Sequence, residues 1–268
     1  MYNQLDEGLH CRVAPFTVDH DSSKNIFNWY ASDKEELYKK NLKNEYELLK
    51  KYNWIDTEIQ YKINSQGFRC NNFNKDKGIV FLGCSTPFGV GINVENTFPY
   101  LLSKRLNLEC WNLSIPGVSN DTSYRIAKYW IPKLNVKIVY LILTYPTRRE
   151  WFMNINNNEQ FETYNLNKDP ILINHNSSKK WFEDIVKHDI NNFINVQKNV
   201  DAIKSICKEY NCQLNIFSIY KWLDYKLLQT KYSWQKNPPD MARDLIHFGI
   251  DYHKEVFQNL LKHHNNEH

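Results

Sequence analysis

The apolar positions change their spacing at Gly78. Downstream of it, short continuous apolar runs alternate with segments whose apolar residues recur on a helical period. Ile79-Val80-Phe81-Leu82 has the pattern of a parallel strand buried on both faces. In residues 95–106, Phe98, Leu101, Leu102 and Leu106 fall on one helical stripe. Cys110-Trp111-Asn112-Leu113 reads as a second strand. Ser119-Asn120-Asp121 is a cap cluster for a helix through Tyr124, Ile126, Ala127 and Ile131, ending near Pro132. Ile138-Val139-Tyr140-Leu141-Ile142-Leu143 is the clearest strand. A helical stretch over residues 181–210, a strand at 214–217 and a closing helix over 251–262 complete the series. Strands alternating with helices predict an α/β fold: a three-layer α/β/α sandwich around a central parallel sheet.

Residues 1–77 differ in character and read as an N-terminal extension packed on a main domain of residues 78–268. The first 33 are polar and irregular. A helix is expected to follow, capped by Ser32 or Asp33, with Glu35 and Glu36 in its first turn and Leu37, Leu42, Tyr46, Leu48 and Leu49 on one face, running out near Tyr52. Gln66-Gly67 and the polar cluster of residues 71–78 read as turns. Residues 145–180 are Asn-rich and read as an irregular excursion over the sheet.

Composition excludes several classes. The chain has 268 residues with 42% hydrophobic and 24% charged, ordinary globular usage. A net charge of +4, with no Lys/Arg run longer than two, does not suit a nucleic-acid partner. No apolar run approaches the ~20 residues of a membrane span. The first residues lack the basic and apolar regions of a secretory signal, so a cytoplasmic or virion-associated protein is expected. The six cysteines show no CxxC pair and read as buried or half-buried thiols.

In parallel sheets the chemistry sits in loops beyond the carboxyl ends of the strands, and three such loops are informative. Gly83-Cys84-Ser85-Thr86-Pro87-Phe88-Gly89 follows the first core strand. It lacks the Gly-Lys-Ser/Thr of a phosphate cradle, and Pro87 breaks the G-x-S-x-G elbow, but Ser85 is placed as a nucleophile would be. The second loop carries Gly117, whose N–H can face an anion, and Asn120 at a helix start; it reads equally as a loop with a helix cap. In the third, Asp244 and His247 are three residues apart, so the carboxylate can fix the imidazole tautomer. A metal reading of His247 with Asp251 or His253 lacks a third ligand. The remaining histidines read as solvated.

Taken together, Gly-x-Ser after the first strand, Asn112 through Gly117 after the second and Asp244-x-x-His247 before the last helix resemble the SGNH, or GDSL-type, hydrolases. Asn64-Ser65-Gln66-Gly67-Phe68-Arg69 looks like the Asn-x-x-Gly-Phe-Arg segment found ahead of the Ser loop in many members. The Gly-Cys-Ser and Ala-Arg-Asp-x-x-His-Phe-Gly variants are similar to SGNH-like proteins often encoded by phages and other viruses. The resemblance implies an SGNH/flavodoxin-like sheet, with Ser85 as nucleophile, His247 as general base and Asp244 as its orienting carboxylate. Gly117 and Ser85 N–H groups are then the oxyanion donors. Two departures stand out: Cys84 replaces the usual Asp, and Pro146 stands where the family's oxyanion Asn is expected. Asn120 and Arg148 are the candidate substitutes.

The function expected is a serine esterase that needs no metal or organic cofactor, acting on an ester such as an O-acetylated glycan. Trp151, Phe152, Trp181, Trp222 and Trp234 are candidate sugar-stacking surfaces. The alternatives are a virion or assembly protein, associated with a virion or with further copies of itself, and an O-acyltransferase using the same triad.

Overall fold

The computed structural model describes residues 25–155, 158–165, 189–218 and 238–266. The region ahead of Gly78 contributes two short antiparallel strands, β1 (Ile26–Phe27) and β2 (Tyr61–Lys62), with helices α1 (Glu35–Asn44) and α2 (Tyr46–Lys51) between them. One helix is predicted there and two are found, because the backbone leaves helical geometry at Glu45 (φ −132°, ψ 31°). Neither Ser32 nor Asp33 caps α1. Lys34 occupies the cap position without a side-chain bond, and the two candidate caps turn instead toward the C-terminal loop.

The main sheet holds β3 (Gly78–Leu82), β4 (Glu109–Asn112), β5 (Val136–Leu143) and β8 (Gln213–Ser218), all parallel, in the order β4-β3-β5-β8. Between them run α3 (Ser85–Phe88), α4 (Phe98–Leu106), α5 (Asn120–Trp130) and α6 (Asp189–Glu209), and α7 (Ile250–Asn266) closes the series. The two-residue period of the strands sorts their side chains into two cores. Val80, Leu82, Val139 and Leu141 pack with Ile126 and Ala127 of α5 and Val196, Val200 and Ile203 of α6. Ile79, Phe81, Tyr140 and Ile142 pack with Phe98 and Leu102 of α4 and Tyr252, Val256 and Leu260 of α7. The result is the three-layer α/β/α sandwich that the sequence pattern predicts.

Two expectations change. The helix expected from residue 95 starts at Phe98, because the Thr97 hydroxyl caps it (3.4 Å from Tyr100 N) with Pro99 in the first turn; Val94–Asn96 is a separate 3₁₀ turn. Residues 145–180 are not wholly irregular: β6 (Arg148–Ile155) and β7 (Asn158–Asn165) pair antiparallel, closing at Ile155 opposite Asn158. The Asn run at 156–158 is a turn signal within that stretch. The part of the predicted 181–210 helix that precedes Asp189 lies outside the described residues.

Because β4 and β5 lie on opposite sides of β3, the winding direction reverses beside β3. In parallel sheets such a reversal is where ligands bind beyond the carboxyl ends of the strands, and the Ser85 loop and the Thr144–Arg148 segment follow those ends of β3 and β5. No helix among the described residues is long and apolar enough to cross a membrane.

Candidate active site

Ser85 is the first residue of the four-residue helix α3, entered from Gly83 and left through Gly89 in the left-handed region (φ +80°). Its hydroxyl is part-buried, with Cys84 Sγ 4.0 Å away. The loop is held from below by Arg69, which is buried and donates to the carbonyls of Phe88 (3.1 Å), Gly89 (2.6 Å) and Ile92 (2.9 Å). Burial lowers the Arg69 pKa to about 10. The Asn64–Arg69 segment places that guanidinium: Asn64 Oδ1 accepts the N–H groups of Gln66 (3.0 Å) and Phe68 (2.9 Å), and Gly67 takes φ +90°. Asn112 Nδ2 adds a bond to Pro87 O (2.7 Å).

The Asp244–His247 turn stands in front of α7. Asp240 accepts from the N–H groups of Asp251 (2.9 Å) and Tyr252 (3.0 Å), fixing the turn to the helix start. Within it, Asp244 Oδ1 accepts from Ile246 N (3.0 Å) and His247 N (3.0 Å), and Oδ2 lies 2.7 Å from His247 Nδ1. The Asp244 side chain is fully buried and that of His247 is 19% exposed. Burial by itself raises the Asp244 pKa, but its bonds to the His247 ring and to the two N–H groups bring it below the ordinary carboxylate value. With Nδ1 committed to Asp244, the arrangement leaves Nε2 to act as a base.

Gly117 has φ +81°, a conformation that favours glycine, and its loop is tied to the Ser85 loop by Ile115 N–H on Gly83 O (3.1 Å). Among the described residues, the N–H groups of Ser85 and Gly117 donate to no protein acceptor. Asn120 is buried at the start of α5 and clamps Thr144, donating to its O (3.3 Å) and accepting from its N (3.1 Å). Arg148 Nη1 donates to Val118 O (3.3 Å) and Thr144 Oγ1 (3.1 Å), so its guanidinium spans the loops after β4 and β5.

The Ser85 loop and the Asp244 turn touch through Gly91, whose carbonyl accepts from Arg243 N (3.0 Å). No hydrogen bond joins Ser85 Oγ to His247 among the described residues. His253, considered from sequence only as a metal partner of His247, is buried: its Nδ1 accepts from Phe98 N (3.2 Å) and its ring stacks on Phe98. Burial, with the nearby Arg69 and His247 charges, lowers its pKa to about 3. Sequence reasoning missed three partners of the turn. Ser32 Oγ donates to Asp244 Oδ2 (2.8 Å), Asn41 Nδ2 to Asp244 O (3.2 Å), and Asp33 pairs with Arg243 (2.7 Å). Only the opposite charges of Asp33 and Arg243 were visible, without their proximity. Trp181, Trp222 and Trp234 lie outside the described residues. Among the described residues no three His, Cys, Asp or Glu side chains converge as metal ligands would.

Compared with known proteins, the sequence matches no family model and no curated protein. Among solved structures, the crystal structure of TesA is similar at a TM-score of 0.43 and 10% identity, covering 69% of this chain and 96% of that one. A likeness at that level carries no functional argument.

Proposed function

We propose that the chain is an SGNH-like serine esterase in which Ser85 attacks an ester carbonyl and His247 Nε2 accepts its proton. Asp244 holds the imidazole and balances its charge, and the Ser85 and Gly117 N–H groups receive the developing oxyanion. His247 passes that proton to the departing alcohol as its bond to the acyl carbon breaks; water, giving its proton to His247, then attacks the acyl-enzyme, and His247 returns that proton to Ser85 Oγ as the free acid leaves. The observation that carries this reading is the Asp244–His247 pair: a fully buried carboxylate bonded at 2.7 Å to a ring whose other nitrogen has no partner among the described residues. The substrate class proposed is an O-acetylated carbohydrate.

A virion or assembly role is the second reading, favoured by the missing Ser85–His247 hydrogen bond and by Pro146. Catalytic hydrogen bonds are often long before substrate binds, so that gap alone does not select it. A fluorophosphonate probe separates the two. Labelling of the full chain that disappears in Ser85→Ala and His247→Ala supports the esterase. Well-folded protein that takes no label overturns it.

A further inference from the structure

Residues 30–33 form a tight turn closed by Tyr30 N–H on Asp33 O (2.9 Å) and Asp33 N–H on Tyr30 O (3.0 Å). Ala31 within it has φ +56°, a left-handed conformation costly for any residue with a Cβ. The turn is fixed at its base. The Asp33 carboxylate binds Arg243 Nε (3.0 Å) and Nη2 (2.7 Å) and accepts from Tyr61 Oη (2.6 Å), and Asn28 O also accepts from Arg243 Nη2 (2.8 Å). Arg243 is the neighbour of Asp244. The anchored turn therefore delivers Ser32 Oγ to Asp244 Oδ2 at 2.8 Å, the same oxygen that holds His247 Nδ1, and leaves it 3.3 Å from Nδ1 itself.

We infer that Ser32 is a positioning residue for the Asp244–His247 pair, supplied by the region ahead of the main sheet; its effect on rate rests on the esterase reading. Asp244 is held by two N–H groups on Oδ1, by Asn41 on its main-chain carbonyl, and on Oδ2 by Ser32 and the imidazole. Ser32 is the one side-chain donor besides the histidine that reaches this carboxylate among the described residues. Its hydroxyl adds a fourth donor to the carboxylate, on the oxygen that holds the ring. Without it, Oδ2 keeps only the imidazole donor, and the direction of the Asp244–His247 bond, with that of Nε2, is held less tightly. The residue acts through Asp244 and touches no substrate.

The test uses the full chain with Ser32→Ala, Ser32→Thr and Ser32→Cys. On an ester that the wild type hydrolyses, Ser32→Ala is expected to lower kcat about tenfold, the scale of one hydrogen bond to a charged group, with KM unchanged. Ser32→Thr, which keeps the hydroxyl, restores most of the rate. Ser32→Cys keeps the shape with a weak donor and repeats the loss should Ser32→Ala fold poorly. A second readout is independent of activity: the proton NMR resonance of His247 Nδ1–H, expected to shift and exchange faster in Ser32→Ala and to return in Ser32→Thr. Variants with wild-type kcat and a superimposable resonance overturn the inference. A wild type that takes no fluorophosphonate label overturns the esterase reading instead, and the resonance then decides the role of Ser32 alone.

Discussion

Around Asp244 both carboxylate oxygens carry two donors each, whereas on the side of the Ser85 loop the Ser85 and Gly117 N–H groups have no protein acceptor among the described residues. The difference fits what the proposed reaction asks of each half. A buried carboxylate is tolerated only when its lone pairs are filled, and filling them gives it one orientation. N–H groups that serve a transient negative charge must be left open until that charge forms. On the proposed reading, the half with the charge is closed by the protein, and the half that would meet the charge is left for the ligand. Gly91 joins them.

Removing the closed half should have the largest effect. Asp244→Asn keeps the shape but turns a donor toward His247 Nδ1 and selects the wrong tautomer, so kcat should fall about 10⁴-fold with folding preserved; steady-state ester hydrolysis and a thermal melt check both parts. Next is the seam. A Cβ on Gly91 would stand 2.8 Å from Ala242 Cβ and 3.1 Å from Arg243 N at φ +78°. Gly91→Ala should push the Asp244 turn away from the Ser85 loop and cost about 10²-fold in probe labelling rate, with about 1–3 kcal/mol of strain in a denaturant titration.

A smaller effect separates a strut from a donor. Asn120→Ala removes the clamp on buried Thr144 and should cost about 1–3 kcal/mol of stability, while the labelling rate stays near wild type. A rate loss of about 10²–10³ without destabilisation would instead place Asn120 in the oxyanion hole. The smallest effect is in pH dependence. The Asp244 carboxyl is lowered from its ordinary 3.8 in the folded chain, so it adds stability above that value and loses it as pH falls through the lower folded value. The stability curve of Asp244→Asn should be correspondingly flatter as pH falls below the ordinary value of 3.8.

The sheet and its loops were legible because their signals are local. Ile79–Leu82 and Ile138–Leu143 read as buried strands from four to six consecutive residues, and Ser119 announced α5, where it forms a capping box with Thr122. Asp244 and His247 could be paired from their spacing alone. Ser32, Asp33 and Asn41 could not, because more than 200 positions separate them from the residues they hold, and Ser32 and Asp33 also fit a nearby helix start. Local capping propensity pointed to α1, and tertiary bonding to Arg243 and Asp244 won. The enclosure of His253 was not legible either, because its ring is covered by the packing of α4 against α7, which no local pattern shows. The kink at Glu45 has no sequence signal that we can identify.

The most direct measurement is a crystal structure of the full chain carrying a fluorophosphonate adduct, whose tetrahedral phosphorus stands in for the acyl-transfer intermediate. The account predicts the phosphorus on Ser85 Oγ, one phosphonyl oxygen within about 3 Å of both the Ser85 and Gly117 nitrogens, and His247 Nε2 turned to the leaving-group side. An adduct on another residue, or a phosphonyl oxygen that meets neither N–H group, would contradict it.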